Sequence, residues 1–211
     1  NVVRGVPLDS TGYFFEPLFT DWGTTGATGI LDWFTVLSGV VAFVALAIHG
    51  ANYLAHKTEG EMNARARKIV SVAWFALVLV TLASLAAVLN VRPTILDNYY
   101  FLPIGWLIPV GVIASLAAIK YFNIKGDDKK AFLASSVYLA MMLGGAVYGL
   151  YPNVLPALDP QYSLTVQNAK AGAYGLSVGV IWWSIGIVIA IGYFTFLFST
   201  FKGKVVVGED H

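Results

Sequence analysis

The chain has 211 residues, of which 57% are hydrophobic and 12% are charged, and its formal net charge is +1. Ordinary globular domains carry about 25% charged residues, so this chain has too little polar surface for a water-soluble domain, and lipid must be its main solvent. The near-neutral charge argues against nucleic acid as a partner. The absence of cysteine excludes disulfides, thiolate zinc sites and cysteine-held iron–sulfur clusters.

The first residues, Asn1 to Arg4, show neither an initiator methionine nor a signal-peptide pattern. We therefore expect the numbering to begin inside a longer protein, or an upstream part to be missing.

Five stretches are apolar over about 20 residues, the length that a helix needs to cross about 30 Å of hydrocarbon. They are too long and continuous for barrel strands, and open sheet edges cannot exist in lipid. The sequence therefore predicts an all-α integral membrane protein, with transmembrane helices near residues 30–55, 69–89, 102–122, 132–150 and 174–201. Residues 1–29 would form an extracytoplasmic lead-in, residues 30–201 the transmembrane domain, and residues 202–211 a cytoplasmic tail.

The basic residues indicate the orientation, because lysine and arginine collect on the cytoplasmic side of membrane proteins. One side of the predicted helices carries most of them: Lys57, Arg65, Arg67, Lys68, Lys120, Lys125, Lys129, Lys130, Lys202 and Lys204. The other side carries only Arg4, Arg92 and Lys170. We therefore expect the N-terminus outside and the C-terminus in the cytoplasm.

Small residues recur four positions apart in four of the predicted helices. This spacing lets neighbouring helices approach closely. The pairs are Ala83 and Ala87, Gly111 and Ser115, Gly145 and Gly149, and Gly175 and Gly179.

Ionisable and polar groups inside a membrane are candidates for function, and this chain offers few. Asp32 lies near the outer end of the first helix and His49 near its inner end, 17 residues or about 26 Å away. Together with Asn52, they are the candidates for intramembrane polar contacts. For Asp32 we favour a helix cap or an interhelical hydrogen bond over a proton relay, and for His49 a hydrogen bond to a neighbouring helix.

A haem with two axial histidines needs two imidazoles that face each other at similar depth. His56 is expected in the cytoplasmic loop and His211 in the tail, and the other four predicted helices contain no histidine. The sequence thus predicts no haem ligand, no metal site and no catalytic residue in this chain.

The first cytoplasmic loop combines several charges with Gly60, which permits a positive φ. Its basic residues Lys57, Arg65 and Arg67 are candidates for contacts with lipid headgroups. A tight turn whose basic residues set the membrane topology is the favoured interpretation.

Several short strings carry more specific information. They are NVVRGVPL at residues 1–8, HGANYL at 49–54, KTEGE at 57–61, YPNVLP at 151–156, and YSLT at 162–165 followed by Asn168 and Ala169. In order and spacing they resemble the second half of subunit II of cytochrome bd-type quinol oxidases. The resemblance covers nearly the whole chain apart from its C-terminal tail.

This resemblance implies a four-helix transmembrane bundle plus one peripheral transmembrane helix, as the second half of a longer subunit. It implies a terminal respiratory oxidase of the bacterial cytoplasmic membrane, which oxidises ubiquinol or menaquinol, reduces oxygen to water and contributes to the proton motive force. Haem b and haem d would be carried by the partner, subunit I, and this chain would be a non-catalytic scaffold in a heterodimer. Lipid, quinone and a small accessory membrane subunit complete the expected partners.

A purely structural membrane anchor remains open from the residues alone, and so do two other functions. One is a haem-free quinone-binding membrane subunit of another oxidoreductase, which would share the low charge. The other is a fragment of a secondary transporter, although transporter sites usually place polar groups near the midplane, where this chain has almost none.

Overall fold

The computed structural model describes residues 1–26, 28–201 and 203–204. Within these ranges the chain forms six α-helices, five of which are long and apolar enough to cross a membrane. In chain order they are α1 (Trp33–Lys57), α2 (Gly60–Val91), the short α3 (Asp97–Phe101), α4 (Leu107–Lys125), α5 (Asp128–Leu150) and α6 (Ala173–Thr200). The predicted all-α membrane architecture is confirmed.

On the side with most of the basic residues, the bundle helices extend further than hydropathy alone suggested. On the other side, α1 and α4 begin later than the predicted residues 30 and 102. Helix α1 continues through Lys57, so His56, which was expected in the loop, lies in the last turn of the helix. Helix α2 already begins at Gly60, whose φ is +62°. The predicted second span began nine residues later, because hydropathy marks only the apolar part of a helix and not the polar turns that emerge from lipid.

Helices α1, α2, α4 and α5 form a four-helix bundle. Helix α1 packs against α2 and α5, and α4 packs against α5. The bundle core is built from large apolar side chains, including Ile48, Val70, Leu77, Ile119 and Tyr138. Helix α6 has no buried residue among those described, so the expected arrangement of a four-helix bundle and one peripheral helix is confirmed.

Two glycines allow tight packing beside the short helix α3. A Cβ atom at Gly149 would lie 2.2 Å from Cγ1 of Ile95, and a Cβ atom at Gly105 would lie 2.2 Å from the Tyr148 ring. Such distances are far below van der Waals contact. The absence of a side chain therefore lets α5 approach the segment between α2 and α4.

A small cap that the sequence did not predict covers the end of the bundle where α1 begins. Strands β1 (Asn153–Leu155) and β2 (Leu164–Thr165) form an antiparallel pair after α5. Val6 of the lead-in makes a parallel bridge to Ala157, and Val6, Leu8 and Ala157 form a separate apolar cluster. The lead-in is thereby joined to the connection between α5 and α6.

Candidate functional site

The start of α1 is capped by Asp32. Its carboxylate accepts hydrogen bonds from the backbone N–H groups of Phe34 and Thr35, at 2.8 Å each. The Asp32 backbone N–H donates in return to the Thr35 hydroxyl at 3.0 Å. This reciprocal capping box satisfies N–H groups that have no acceptor within the helix.

Asp32 also belongs to a buried ionic cluster with Arg4 and Glu16. The Arg4 guanidinium donates to the carboxylates of both Asp32 and Glu16, and to the backbone carbonyl of Gly29 at 2.8 Å. The Thr28 hydroxyl donates to Glu16 at 3.3 Å. The side chains of Arg4 and Asp32 are fully buried and that of Glu16 nearly so. One guanidinium and the positive end of the α1 dipole therefore compensate two carboxylates.

Sequence reasoning missed the roles of Arg4 and Glu16. Both lie in an irregular lead-in, where no helical or strand period relates them to Asp32. Arg4 was recognised only as one of three basic residues on the sparsely charged side. The contact depends on how the lead-in folds back, and no local pattern in the sequence encodes that.

At the opposite end of α1, His49 contacts α5. Its Nδ1 lies 2.9 Å from the Ser135 hydroxyl, which also lies 2.7 Å from the Phe132 carbonyl. The tautomer of His49 decides whether Nδ1 or the Ser135 hydroxyl is the donor in this contact. His49 therefore makes a hydrogen bond to a neighbouring helix.

Asn52 lies one turn beyond His49 and is only 1% exposed. Its Nδ2 finds no hydrogen-bond acceptor among the described residues. A buried amide donor without an acceptor costs about 1–3 kcal/mol. Asn52 is thus a polar and energetically costly group in the apolar core of the bundle.

The histidines of α1 do not fit a haem held by two imidazoles. His49 and His56 project from one helix, and both rings stack against Phe132, at centroid distances of 4.9 and 6.1 Å. No group of three or more His, Cys, Asp and Glu side chains converges as a metal site in the described part of the chain.

The three basic residues considered for headgroup contacts have different surroundings. Lys57 donates to the Phe201 carbonyl at the end of α6, at 2.9 Å. Arg65 forms an exposed pair with Glu61 at 2.5 Å. Arg67 donates to the Asn123 carbonyl at 2.7 Å, so its guanidinium is directed toward the connection between α4 and α5. Of the three, Arg65 is the most open to solvent.

Acidic and amide groups link the end of α1 to the starts of α2 and α5. Sequence reasoning missed these groups. Asn63 donates to Asp128 at 2.8 Å and to the Ala55 carbonyl at 2.7 Å, which joins α2 to α5 and α1. Next to it, hydrogen bonds from the Lys130 side chain and backbone N–H lower the pKa of Asp127, the residue that caps α5.

Within the bundle, a second polar contact crosses between helices. The hydroxyl groups of Thr81 on α2 and Tyr138 on α5 lie 2.7 Å apart, and both residues are buried. The Thr81 hydroxyl also lies 2.6 Å from the Leu77 carbonyl. Threonine and tyrosine are too common in membrane helices for sequence alone to mark this pair. The contact links two helices without an ionised group.

Comparison with known proteins places these features in a family. The sequence profile of the family described as cytochrome bd terminal oxidase subunit II matches residues 1–201. The probable cytochrome oxidase subunit 2 of Haemophilus influenzae is 27% identical, over 97% of this chain and 60% of the relative.

Two further relatives agree with this assignment. The cytochrome bd ubiquinol oxidase subunit 2 of Bacillus subtilis is 26% identical, over 83% of this chain and 48% of the relative. The cytochrome bd-I ubiquinol oxidase subunit 2 of Escherichia coli K12 is 28% identical, over 90% of this chain and 56% of the relative. The chain thus spans about half the length of the relatives that it matches. Since the family profile covers nearly all of the chain, this protein belongs to the cytochrome bd terminal oxidase subunit II family.

Proposed function

We propose that this chain forms the second half of subunit II in a terminal quinol oxidase, where it supports a haem-bearing subunit I. The observation that carries the proposal is the family match over residues 1–201. In the complex, two quinols are oxidised to two quinones while one oxygen molecule is reduced to two waters. The reaction contributes to the proton motive force.

The partner is required by the chemistry. Reduction of one oxygen molecule needs four electrons, and protein side chains of the kinds found here neither store nor deliver them, so cofactors must do so. Haem b and haem d on subunit I would supply that chemistry. This chain then acts as a non-catalytic subunit that holds part of the transmembrane scaffold.

The exposed surface of α6 supports assembly with other membrane helices. None of its described residues is buried, although the helix is long enough to cross a bilayer. The chain spans about half the length of the relatives that it matches. The rest of subunit II, subunit I, an accessory membrane subunit and lipid are the partners proposed for this surface.

The proposed orientation has the N-terminus outside and the C-terminus in the cytoplasm of a bacterium. It rests on the excess of lysine and arginine at the ends of α1, α2, α4 and α5 that lie away from the lead-in. On that side, Arg65 is the most exposed of the three candidates for headgroup contacts. A reporter fused after His211 that is active only in the cytoplasm is the expected result, and activity only outside the membrane would contradict it.

Purification tests the function. The native chain, extracted in mild detergent, should bring down a larger haem-containing membrane subunit, and the reduced complex should show a d-type haem band and quinol oxidase activity. A homo-oligomer without haem or oxidase activity would overturn the proposal. Substrate uptake without haem would favour a transporter, and quinone binding without haem another oxidoreductase.

A further inference from the structure

The lead-in contains an exposed aromatic segment, residues 13–22, which the proposed function does not explain. Six of its ten side chains are large and apolar, and each of these is between 43% and 72% exposed: Tyr13, Phe14, Phe15, Leu18, Phe19 and Trp22. A water-exposed loop of this composition would be costly, because exposed apolar patches usually mark surfaces that contact a protein or a membrane.

Backbone hydrogen bonds hold this segment beside the start of α1. The N–H groups of residues 30 and 31 donate to the carbonyls of Pro17 and Leu18, at 2.9 and 3.0 Å. Gly29 permits this approach, since a Cβ atom there would lie 2.9 Å from the Thr20 backbone nitrogen. The aromatic segment therefore lies level with the first turn of a membrane-spanning helix.

The segment carries two charged side chains, and the exposed one, Asp21, accepts a hydrogen bond from the Gly23 backbone N–H at 2.6 Å. The Glu16 carboxylate turns inward to the guanidinium of Arg4, while the neighbouring Phe15 is exposed. The exposed apolar surface continues along the chain into Leu31 and Trp33 at the start of α1. The result is a continuous apolar surface that begins in the lead-in and joins the spanning helix.

We infer that the aromatic segment inserts into the membrane interface on the side where α1 begins, with its rings among phospholipid headgroups and the upper acyl chains. Phospholipid is the occupant that fits best, because tryptophan and tyrosine concentrate at the boundary between membrane and water and because the surface is continuous with a spanning helix. No lysine or arginine occurs between Arg4 and Lys57, so insertion does not depend on anionic lipid. The inference holds whichever reaction the complex performs.

Insertion would further restrain the ionic cluster, which the chain itself already buries. The aromatic segment carries Glu16 on its inner side, so rings embedded in the interface hold this carboxylate against Arg4. The start of α1 is then held at one depth by the Asp32 cap and by the inserted rings together.

The absence of cysteine in this chain permits a direct measurement of depth. Spin labels at Phe15→Cys and Leu18→Cys are compared with one at Ser10→Cys, an exposed position in the same lead-in. The full complex is placed in nanodiscs of phosphatidylethanolamine and phosphatidylglycerol, and in nanodiscs of phosphatidylcholine alone. Unmodified complex, treated with the same label, gives the background from other subunits.

Lipid insertion predicts that oxygen reaches the labels at positions 15 and 18 more readily than a water-soluble nickel chelate does, with the reverse order at position 10. The pattern should be the same in both lipid mixtures. If the nickel chelate reaches positions 15 and 18 as readily as position 10, the segment lies in water and the inference fails. Protection from both reagents would place a protein subunit over the segment, which also overturns it.

Discussion

Arg4 and Asp32 are 28 residues apart in the chain, and their side chains form a fully buried ion pair at the N-terminus of α1. Asp32 is at the same time the helix cap, so one carboxylate both closes α1 and binds the lead-in. Glu16 shares the same guanidinium. A single guanidinium therefore compensates both buried carboxylates of the lead-in and the helix cap.

Replacement of Arg4 by methionine should destabilise the protein strongly. The substitution leaves two carboxylates buried without their cation, and removal of one partner from a buried ion pair typically costs about 3–5 kcal/mol. The matched control is Arg65→Met, since Arg65 pairs with Glu61 at the surface, where the side chains are 70% and 78% exposed. An exposed pair contributes about 1 kcal/mol or less.

The unfolding temperature of the complex in detergent checks this prediction. A large decrease for Arg4→Met and almost none for Arg65→Met is expected. Equal unfolding temperatures for the two variants would show that the buried cluster does not stabilise the lead-in.

Replacement by alanine should lower the stability of the protein at one glycine of α5 and not at another. At Gly149 the new methyl group would overlap Ile95, and overpacking typically costs about 1–3 kcal/mol. At Gly144 nothing lies within 4 Å of the new methyl group, so the higher helix propensity of alanine should leave stability unchanged or slightly raised. Unfolding temperatures of the two variants provide the comparison.

A second substitution tests whether overlap with Ile95 causes the loss of stability in Gly149→Ala. Ile95→Ala removes the side-chain atoms that the Gly149→Ala methyl group would overlap. It should therefore lower the unfolding temperature less in the Gly149→Ala variant than in the wild-type chain. Additive effects of the two substitutions would contradict a direct steric contact.

The sequence was sufficient to predict the membrane class and the number of spans, because an apolar run of about 20 residues has one physical solution in lipid. The start of α1 was predicted too early, at residue 30, which placed Asp32 inside the helix, whereas the structure begins α1 at Trp33 with Asp32 as its cap. The extent of α2 was underestimated. Its first turns, with Glu61 and Arg65, are polar and still helical, and hydropathy does not report such turns.

The tertiary polar contacts could not be predicted in the same way. Asn63 reaches Asp128 across 65 positions in the chain, and Thr81 reaches Tyr138 across 57. Each pair depends on which helix faces combine, and a single sequence contains no period that relates them. The bridge between Val6 and Ala157 and the short strands β1 and β2 could not be predicted either, since strands of two or three residues leave no recognisable alternation.

Replacement of His49 by alanine should leave the haem content of the complex unchanged. The imidazole contacts Ser135 and stacks on Phe132, so its loss should weaken packing between α1 and α5 and lower the yield of assembled complex. Ser135→Ala, which removes the same hydrogen bond but keeps the imidazole, is the matched control. Haem per complex is measured from the optical spectrum, and loss of one haem from a complex whose subunits remain associated would refute the prediction.

The glycine face of α6 should be a contact surface for the rest of the oxidase. The glycine face comprises Gly175, Gly179 and Gly186, which lie within about 40° of one another around the helix. Val188 lies on the opposite side, about 140° from Gly175. Small residues allow a neighbouring helix to approach closely, and no atom lies within 4 Å of a Cβ built at Gly179 or Gly186. A leucine on this face would keep a partner helix away.

We therefore expect Gly179→Leu to reduce the amount of haem-bearing subunit that co-purifies with this chain, while Val188→Leu leaves it near the wild-type level. Both changes introduce leucine into an exposed, apolar part of the same helix, so neither should disturb the bundle formed by α1, α2, α4 and α5. The measurement is the ratio of haem to this chain after purification in mild detergent. If the two variants retain haem equally, the partner does not pack on the glycine face, and the contacts of α6 must lie elsewhere on its surface.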